Sequence, residues 1–512
     1  LLPDEGIKLF GIMRRGSGSV VRWRKAQIVV WVARTMDVPA IAKMAFTSED
    51  RTHGVRHLMA GEAIDAHIAP GRDKRVSATC GTLLIVSLGI RTDRTSTGGS
   101  MEFAVFLNGY TPGPAAHDTD LEHLELMREM EYAIAADKHN WKYVWLGEHH
   151  SLTEYSHLSA PEVMIGYIAA NTDYIHIGTA INSLSPRKEH PVRFAERAAM
   201  MDHVTNRRFE WGTGRGAGSH EMATFNILDK DSTKPEWNEV VREVPRMWEQ
   251  TDYEHHGPSF TVPYPHNVLP KPYGQGHPPI WVACGNPPTF TTAGQMGIGA
   301  IAFNFEPIYA LRGRIEAYKE GIANCTEPIG QFVNDNVMIT NSVLIADTRE
   351  EARNIALRKG RGYLVTMVNL YHDTMPKSQD AITWPSAPMS LHDIVKDPSL
   401  DANEVLDGII DAGYMLCGTP DEVSEQIAKW GDVGMDQLAF GLPIEGMFHE
   451  EILATLELFG DKVIPEFDHD RTHSTDRYRA RSQPKWGPFT NPLPDIEWPT
   501  VLPESALAPL AR

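Results

Sequence analysis

Three stretches of this 512-residue chain bring together side chains that could do chemistry. The first is YVWLGEHH, residues 143–150, where apolar, strand-forming sequence runs straight into Glu148, His149 and His150. An acid beside imidazoles suits proton transfer, and it suits structural hydrogen bonding equally well. Successive strand residues point to opposite faces, so the two histidines are not expected to share an ion, and the HExxH spacing of zinc helices is absent. No metal site is expected. A second EHH, Glu254–His256, stands in a Pro/Gly-rich stretch and reads as solvated surface. The second stretch, GTGRGAG at 212–218, sets Arg215 among glycines that let backbone approach an anion, Gly216 included. Gly212, Gly214 and Ala217 fit the form of a dinucleotide fingerprint, but no strand ending in an acid follows about 20 residues later. In the third, PPIWVACGNPPTFTTAGQMG at 278–297, a buried strand turns at Gly285 and Asn286 into a helix starting near Pro287–Thr289. Free N–H groups at that start and the Thr289 hydroxyl favour an anion; ordinary helix capping is the alternative. Two anion-favouring turns and an earlier histidine describe a phosphorylated cofactor lying across one end of the fold.

Rigid elements must hold these turns. After the break TSTGGS, MEFAVFLNG alternates like a first strand; YVWLGE, IHIGTAI, RFEWGTG, IWVACG, AIAFNF, VMITNSVLIA and DQLAFGL follow. Helical periodicity is expected at Asp120–Lys138, Val192–Asp202, Glu236–Glu249, Tyr309–Ile322 and Pro420–Trp430. Eight strands alternating with helices suit an α/β fold, either a parallel (β/α)8 barrel or a doubly wound sheet, whose ligands gather at the carboxyl ends of the strands. An extended hairpin is expected before IWVACG, and an insertion at about 360–400 could cover a pocket. The domain reading is 1–100 as an N-terminal extension, 101–465 as the barrel and 466–512 as a Pro-rich tail that wraps a surface or is partly disordered.

Hydrophobic content of 42% and charged content of 22% allow a substantial core. The sequence shows no apolar run of about 18 residues and no secretory signal, so a cytoplasmic protein without a membrane partner is expected. Cys80, Cys284, Cys325 and Cys417 are scattered and read as buried thiols. Residues 1–100 carry 15 Lys/Arg against 9 Asp/Glu, net +6, and the remainder 33 against 58, net −25. Within the basic part, residues 22–58 resemble the helix-turn-helix of insertion-sequence transposases. With Gly54 inside the would-be recognition helix and no metal-binding acids following, a fragment or misplaced start is expected and not a nucleic-acid reader.

WLGEHH, IHIGTAI, HPVRFAERAAMMDHVTNRRFEWGTGRG and PPIWVACGNPPTFTTAGQMG, in that order, resemble the bacterial luciferase-like flavin monooxygenases over residues 101 to about 465. The resemblance implies a (β/α)8 TIM barrel, FMN taken up reduced from a separate NAD(P)H:flavin reductase, dioxygen as co-substrate, a small apolar organic substrate such as an aldehyde, alkane or terpene, and a homodimer. It implies His149 as the active-site acid or base, Arg215 as the phosphate-binding arginine, and Glu148, Ala180, Gly216, Gly285, Asn286 and Thr289 as cofactor contacts. Ala180–Ile181 falls where the family often has a non-prolyl cis peptide. Gly214 replaces the cysteine of the light-producing subunit, Gly285 and Asn286 replace its glutamate and serine, and Lys234 is the nearest second cation. Alternatives are a deazaflavin-dependent oxidoreductase, a non-catalytic flavin-binding protein, and DNA binding through 22–58.

Overall fold

Short runs dominated by β-branched and aromatic residues form the frame, because side chains buried on both faces leave the backbone only its neighbouring strands as hydrogen-bond partners. In chain order the strands are β1 (Glu102–Leu107), β2 (Tyr143–Leu146), β3 (His176–Thr179), β4 (Asn182–Ser183), β5 (Phe209–Gly214), β6 (Tyr253–His256), β7 (Thr261–His266), β8 (Ile280–Ala283), β9 (Gly299–Ala302), β10 (Val337–Asn341), β11 (Val343–Ile345), β12 (Leu416–Gly418) and β13 (Gln437–Leu442). The computed structural model describes residues 101–111, 117–152, 156–216, 218–303, 307–358, 401–442 and 447–487. The helix-turn-helix-like 22–58 and the 360–400 insertion lie outside them. Two compact units divide the chain: Leu1–Gly99 with Met389–Ala402, almost wholly outside the described residues, and Ser100–Pro388 with Asn403–Arg512. The second contains the barrel.

Eight strands close on themselves in the order β1, β2, β3, β5, β8, β9, β10, β13 and back to β1, every pair parallel. Closure decides between the two architectures left open by the sequence: β1 pairs with β2 through Ala104↔Tyr143 and with β13 through Glu102↔Gln437, so this is a TIM barrel. The expected helices appear as Thr119–Lys138, Pro191–Val204, Thr233–Glu249, Arg312–Ala323 after a 3-10 turn at Ile308–Leu311, and Pro420–Trp430. The helix Pro161–Ala170 went unread, since PEVMIGYIAA is apolar almost all round and shows no stripe. β6 and β7 form the expected hairpin. Among the described residues no helix is long and apolar enough to cross a membrane.

Inside the barrel, Ala104, Phe106, Tyr143, Trp145, Ala180, Trp281, Ile301, Met338 and Ala439 make one buried cluster, with Ile181 and Phe303 packed on it. Two indoles fit because strand glycines face them: a Cβ at Gly178 or at Gly299 would sit 2.3 Å from Trp145 or Trp281. Each indole N–H is satisfied, Trp145 by Gln437 at 2.6 Å and Trp281 by Glu210 at 2.8 Å.

The amino-terminal ends of the strands are covered by residues 468–487. Glu102, at the start of β1, accepts hydrogen bonds from Lys142 Nζ, Tyr143 Oη and the Ser474 backbone N–H. Lys142 also pairs with Asp468, all three side chains being almost fully buried. Arg479 makes a bidentate pair with Asp202 at 2.7 and 2.8 Å, again fully buried.

Candidate active site

At the other end of the barrel, β2 stops after Leu146 and the chain crosses the rim through Gly147, Glu148, His149 and His150. The adjacent imidazoles part company there. His149 is 7% exposed; its Nδ1 lies 3.5 Å from Glu221 Oε1, on the short helix Ser219–Thr224, and its backbone N–H is held by Leu158 O at 3.0 Å. Glu221 also accepts the His150 backbone N–H at 2.9 Å, so one buried carboxylate holds the backbone at His150 and stands beside the His149 ring. The His149 ring lies over Gly147, where an added Cβ would stand 3.6 Å from Nε2.

His150 turns instead into a polar cluster. Its Nε2 lies 3.0 Å from Glu148 Oε1 and 3.1 Å from Lys188 Nζ, and its ring meets Phe225 edge-on. Glu148 accepts from Lys188 at 2.7 Å and from Asn182 at 2.6 Å. Burial alone would raise this carboxyl; the Lys188 charge, with hydrogen bonds from His150, Lys188 and Asn182, outweighs it and holds Glu148 at about 2. Glu148 is therefore an ionised anchor for the rim. The sequence reading missed Asn182, Lys188 and Glu221: they are ordinary polar residues in a two-residue strand, a turn and a short helix, with no spacing that marks them.

Ala180 follows β3, buried, with its N–H bonded to Leu146 O at 2.7 Å, and the Ala180–Ile181 peptide is cis. Ile181 faces the ends of the neighbouring strands, since a Cβ at Gly214 would meet its Cδ1 at 2.5 Å.

Arg215 and Gly216 leave β5. Gly216 has φ +89, and a Cβ there would lie 2.4 Å from Met222 Sδ, so the turn takes glycine for both reasons. Arg215 Nη1 donates to Asp231 Oδ1 at 3.1 Å, and Lys234 Nζ reaches the same oxygen at 3.0 Å. Two cations thus meet one exposed anionic oxygen; chiefly through the Lys234 hydrogen bond, and with the Arg215 charge, they hold Asp231 below the usual carboxylate range. β5 pairs directly with β8, and the second turn leaves β8. Asn286 caps the helix Pro287–Met296, its Oδ1 taking the Thr289 N–H at 3.3 Å and the Thr289 hydroxyl at 2.9 Å. The capping reading of this turn is therefore seen, and the Thr289 hydroxyl turns outward only by leaving Asn286. A Cβ at Gly285 would meet nothing within 4 Å, which leaves space beside the turn. Cys284, between strand and turn, is a free buried thiol whose burial pushes its pKa up, away from nucleophilic use.

The second EHH is separate from this site: Glu254 and His256 pair on the exposed hairpin, while His255 is held by Glu239 at 2.8 Å.

A parallel barrel with ionisable groups and glycine turns along one rim has relatives. The oxygenase component of a flavin-dependent trigonelline monooxygenase from Acinetobacter baylyi is 26% identical over 361 residues, 69% of this chain and 93% of that protein. The alkanal monooxygenase alpha chain of Photorhabdus laumondii is 24% identical over 369 residues, 71% of this chain and 97% of that one. In fold, the chain is similar to the oxygenating constituent of 3,6-diketocamphane monooxygenase from Pseudomonas putida, solved in complex with FMN, with a TM-score of 0.56, 19% identity, and 72% and 99% of the two chains covered. The family described as luciferase-like monooxygenase matches residues 101–437, which take in His149, Arg215 and the Asn286 turn, and the chain belongs to that family.

Proposed function

We propose that the protein is the oxygenating component of a two-component system: it takes reduced FMN from a separate NAD(P)H:flavin reductase and uses dioxygen to oxygenate a small apolar organic molecule, such as an aldehyde, alkane or terpene. One observation carries the reading. Arg215 and Lys234 meet a single anionic oxygen of Asp231 just past β5, on the strand that pairs with β8, from which the Asn286 turn leaves. An anionic oxygen at that point engages both cations, which is the recognition a phosphate needs, and Asp231, 64% exposed, is free to swing into solvent.

The residues present fit FMN. Arg215 and Lys234 would hold its phosphate, the Gly216 turn admits close approach, and Gly285 leaves room at the second turn. Reduced FMN supplies the electrons with which dioxygen is activated. The chain supplies the surroundings. His149, oriented by Glu221 on its Nδ1 side, moves a proton through its remaining nitrogen. Phe106 and Phe303, edge to face at 5.0 Å, and Ile181 line the apolar floor and exclude water from the reacting atoms.

Anaerobic titration with reduced FMN, and separately with a reduced deazaflavin, tests the cofactor. Binding of FMN is expected; binding of the deazaflavin alone would replace this reading with hydride transfer. Turnover with reductase, FMN and NADH across apolar substrates should give products heavier by one oxygen atom. His149→Ala should lower that rate by about 100-fold or more with FMN affinity retained, and an unchanged rate removes the histidine from the chemistry.

A further inference from the structure

We propose that His176 Nε2, His473 Nδ1 and the Asp476 carboxylate, at the amino-terminal end of the barrel, bind one divalent transition-metal ion of the zinc class. The three ligand atoms lie within 4.8 Å of one another. His176 opens β3, whereas His473 and Asp476 belong to the segment that covers the strand ends. Asp476 Oδ2 stands 3.5 Å from His176 Nε2 and 3.8 Å from His473 Nδ1. These separations exceed the usual 2.9–3.0 Å of an N–H···O hydrogen bond. They come close to the roughly 3.4 Å between ligand atoms on a tetrahedral ion with bonds of about 2.1 Å.

The outer faces of the rings point to the same conclusion. His176 Nδ1 lies 2.8 Å from Glu210 Oε1, and His473 Nε2 lies 2.9 Å from the Lys142 carbonyl oxygen. A carbonyl can only accept, so His473 Nε2 carries the proton and its Nδ1 lone pair faces Asp476. A carboxylate does the same for His176. A carboxylate behind one ring and a backbone carbonyl behind the other are the partners that orient metal-binding imidazoles. Glu210 is itself fixed by Thr475 Oγ1 at 2.6 Å and Trp281 Nε1 at 2.8 Å.

Charge adds a reason. Glu210 is fully buried; of the nearby cations, Lys142 and Arg479 are committed to Glu102 with Asp468 and to Asp202, and Arg208 donates to Thr172 and to backbone carbonyls. A buried carboxylate calls for compensating positive charge, which a second proton on His176 or a metal ion beside it would supply. Asp476, with its side chain 44% exposed, supplies the way in and a wet fourth position. The two imidazoles lie 3.8 Å apart and 13° from parallel, so an ion held in both ring planes opens the stack. Bound there, it would clip residues 473–476 to the base of β3.

The test uses the full chain, stripped with a chelator and titrated with Zn2+ alone by calorimetry, then with Co2+ for the visible absorption of a tetrahedral site. Expected are one ion per chain, and for Asp476→Ala, or Asp476→Asn if the former folds poorly, an affinity lower by about 10-fold or more. Zn2+ should raise the unfolding temperature of the wild type and not that of the variant. His256→Ala, on the surface hairpin, should bind as the wild type does. Absence of stoichiometric binding, an Asp476 variant that binds equally well, or loss of the ion in His256→Ala overturns the proposal. The site lies at the opposite end of the strands from the proposed phosphate contacts, so none of these results bears on FMN binding.

Discussion

The base of the barrel and the turn that carries Arg215 handle charge in opposite ways. At the amino-terminal end, Lys142, Glu102 and Asp468 form a closed set, and Arg479 and Asp202 another, each satisfied entirely by the chain and shut away from water. At the carboxyl end, Arg215 is 34% exposed and Lys234 58%, and both lean on one exposed aspartate. The same strands serve both ends, so the difference comes from the segments joined to each end. Those arriving at the base complete its charges. The turn that leaves β5 keeps its charges at the surface.

The sharpest way to break this contrast is Arg479→Ala, which strands the Asp202 charge in the interior. We expect a loss of about 3–5 kcal/mol in denaturant unfolding with FMN affinity unchanged in the folded fraction; a loss below about 1 kcal/mol would erase the distinction. Arg215→Ala should do the reverse, weakening FMN binding by about 10-fold, the lower end for a charged hydrogen bond because the site is partly wet, while stability moves by no more than about 0.5 kcal/mol. Gly216→Ala should cost about 1–2 kcal/mol, since φ +89 strains any side chain and Met222 must move as well; an equally stable variant would mean that the turn relaxes around a side chain.

Two buried carboxyls carry the same contrast into pH. Glu148, held at about 2, contributes stability that is complete above its ordinary value near 4.5 and is lost as pH falls from there towards 2. Glu129 runs the other way. Burial, opposed by backbone N–H groups of Gly109 and Tyr110, raises it to about 8, so its contribution is present below 4.5 and declines as pH rises through 8. Glu129→Gln should flatten that alkaline decline in thermal melts, and Glu148→Gln the acid one; a profile unchanged in either variant removes that carboxyl as the cause.

The strands were legible because burial on both faces writes itself as continuous apolar runs, and the two turns after β5 and β8 because glycine, asparagine and proline are there for backbone reasons. His149 and Arg215 could be singled out by their place at strand ends, and the Ala180–Ile181 cis peptide occurs where the family resemblance implied one. Lys188 beside Glu148 and Glu221 beside His149 could not be read, since they are brought in from 40 and 72 residues away, by a turn and by a short helix whose local sequence does not point at the rim. His473 and Asp476 are harder still, lying about 300 residues from His176, with no local periodicity to tie them to it.

The bonds from Ser474 to Glu102 join points 372 residues apart. During translation Glu102 can meet Lys142 and Tyr143 early, 40 and 41 residues on, but its bonds from Ser474 wait until the strands β2 to β13 have been made. Closure at this seam is an end-of-synthesis event, and contacts of such separation belong to the slow class of folding reactions. Nascent chains halted before residue 470 should thus still carry an open, protease-sensitive first strand.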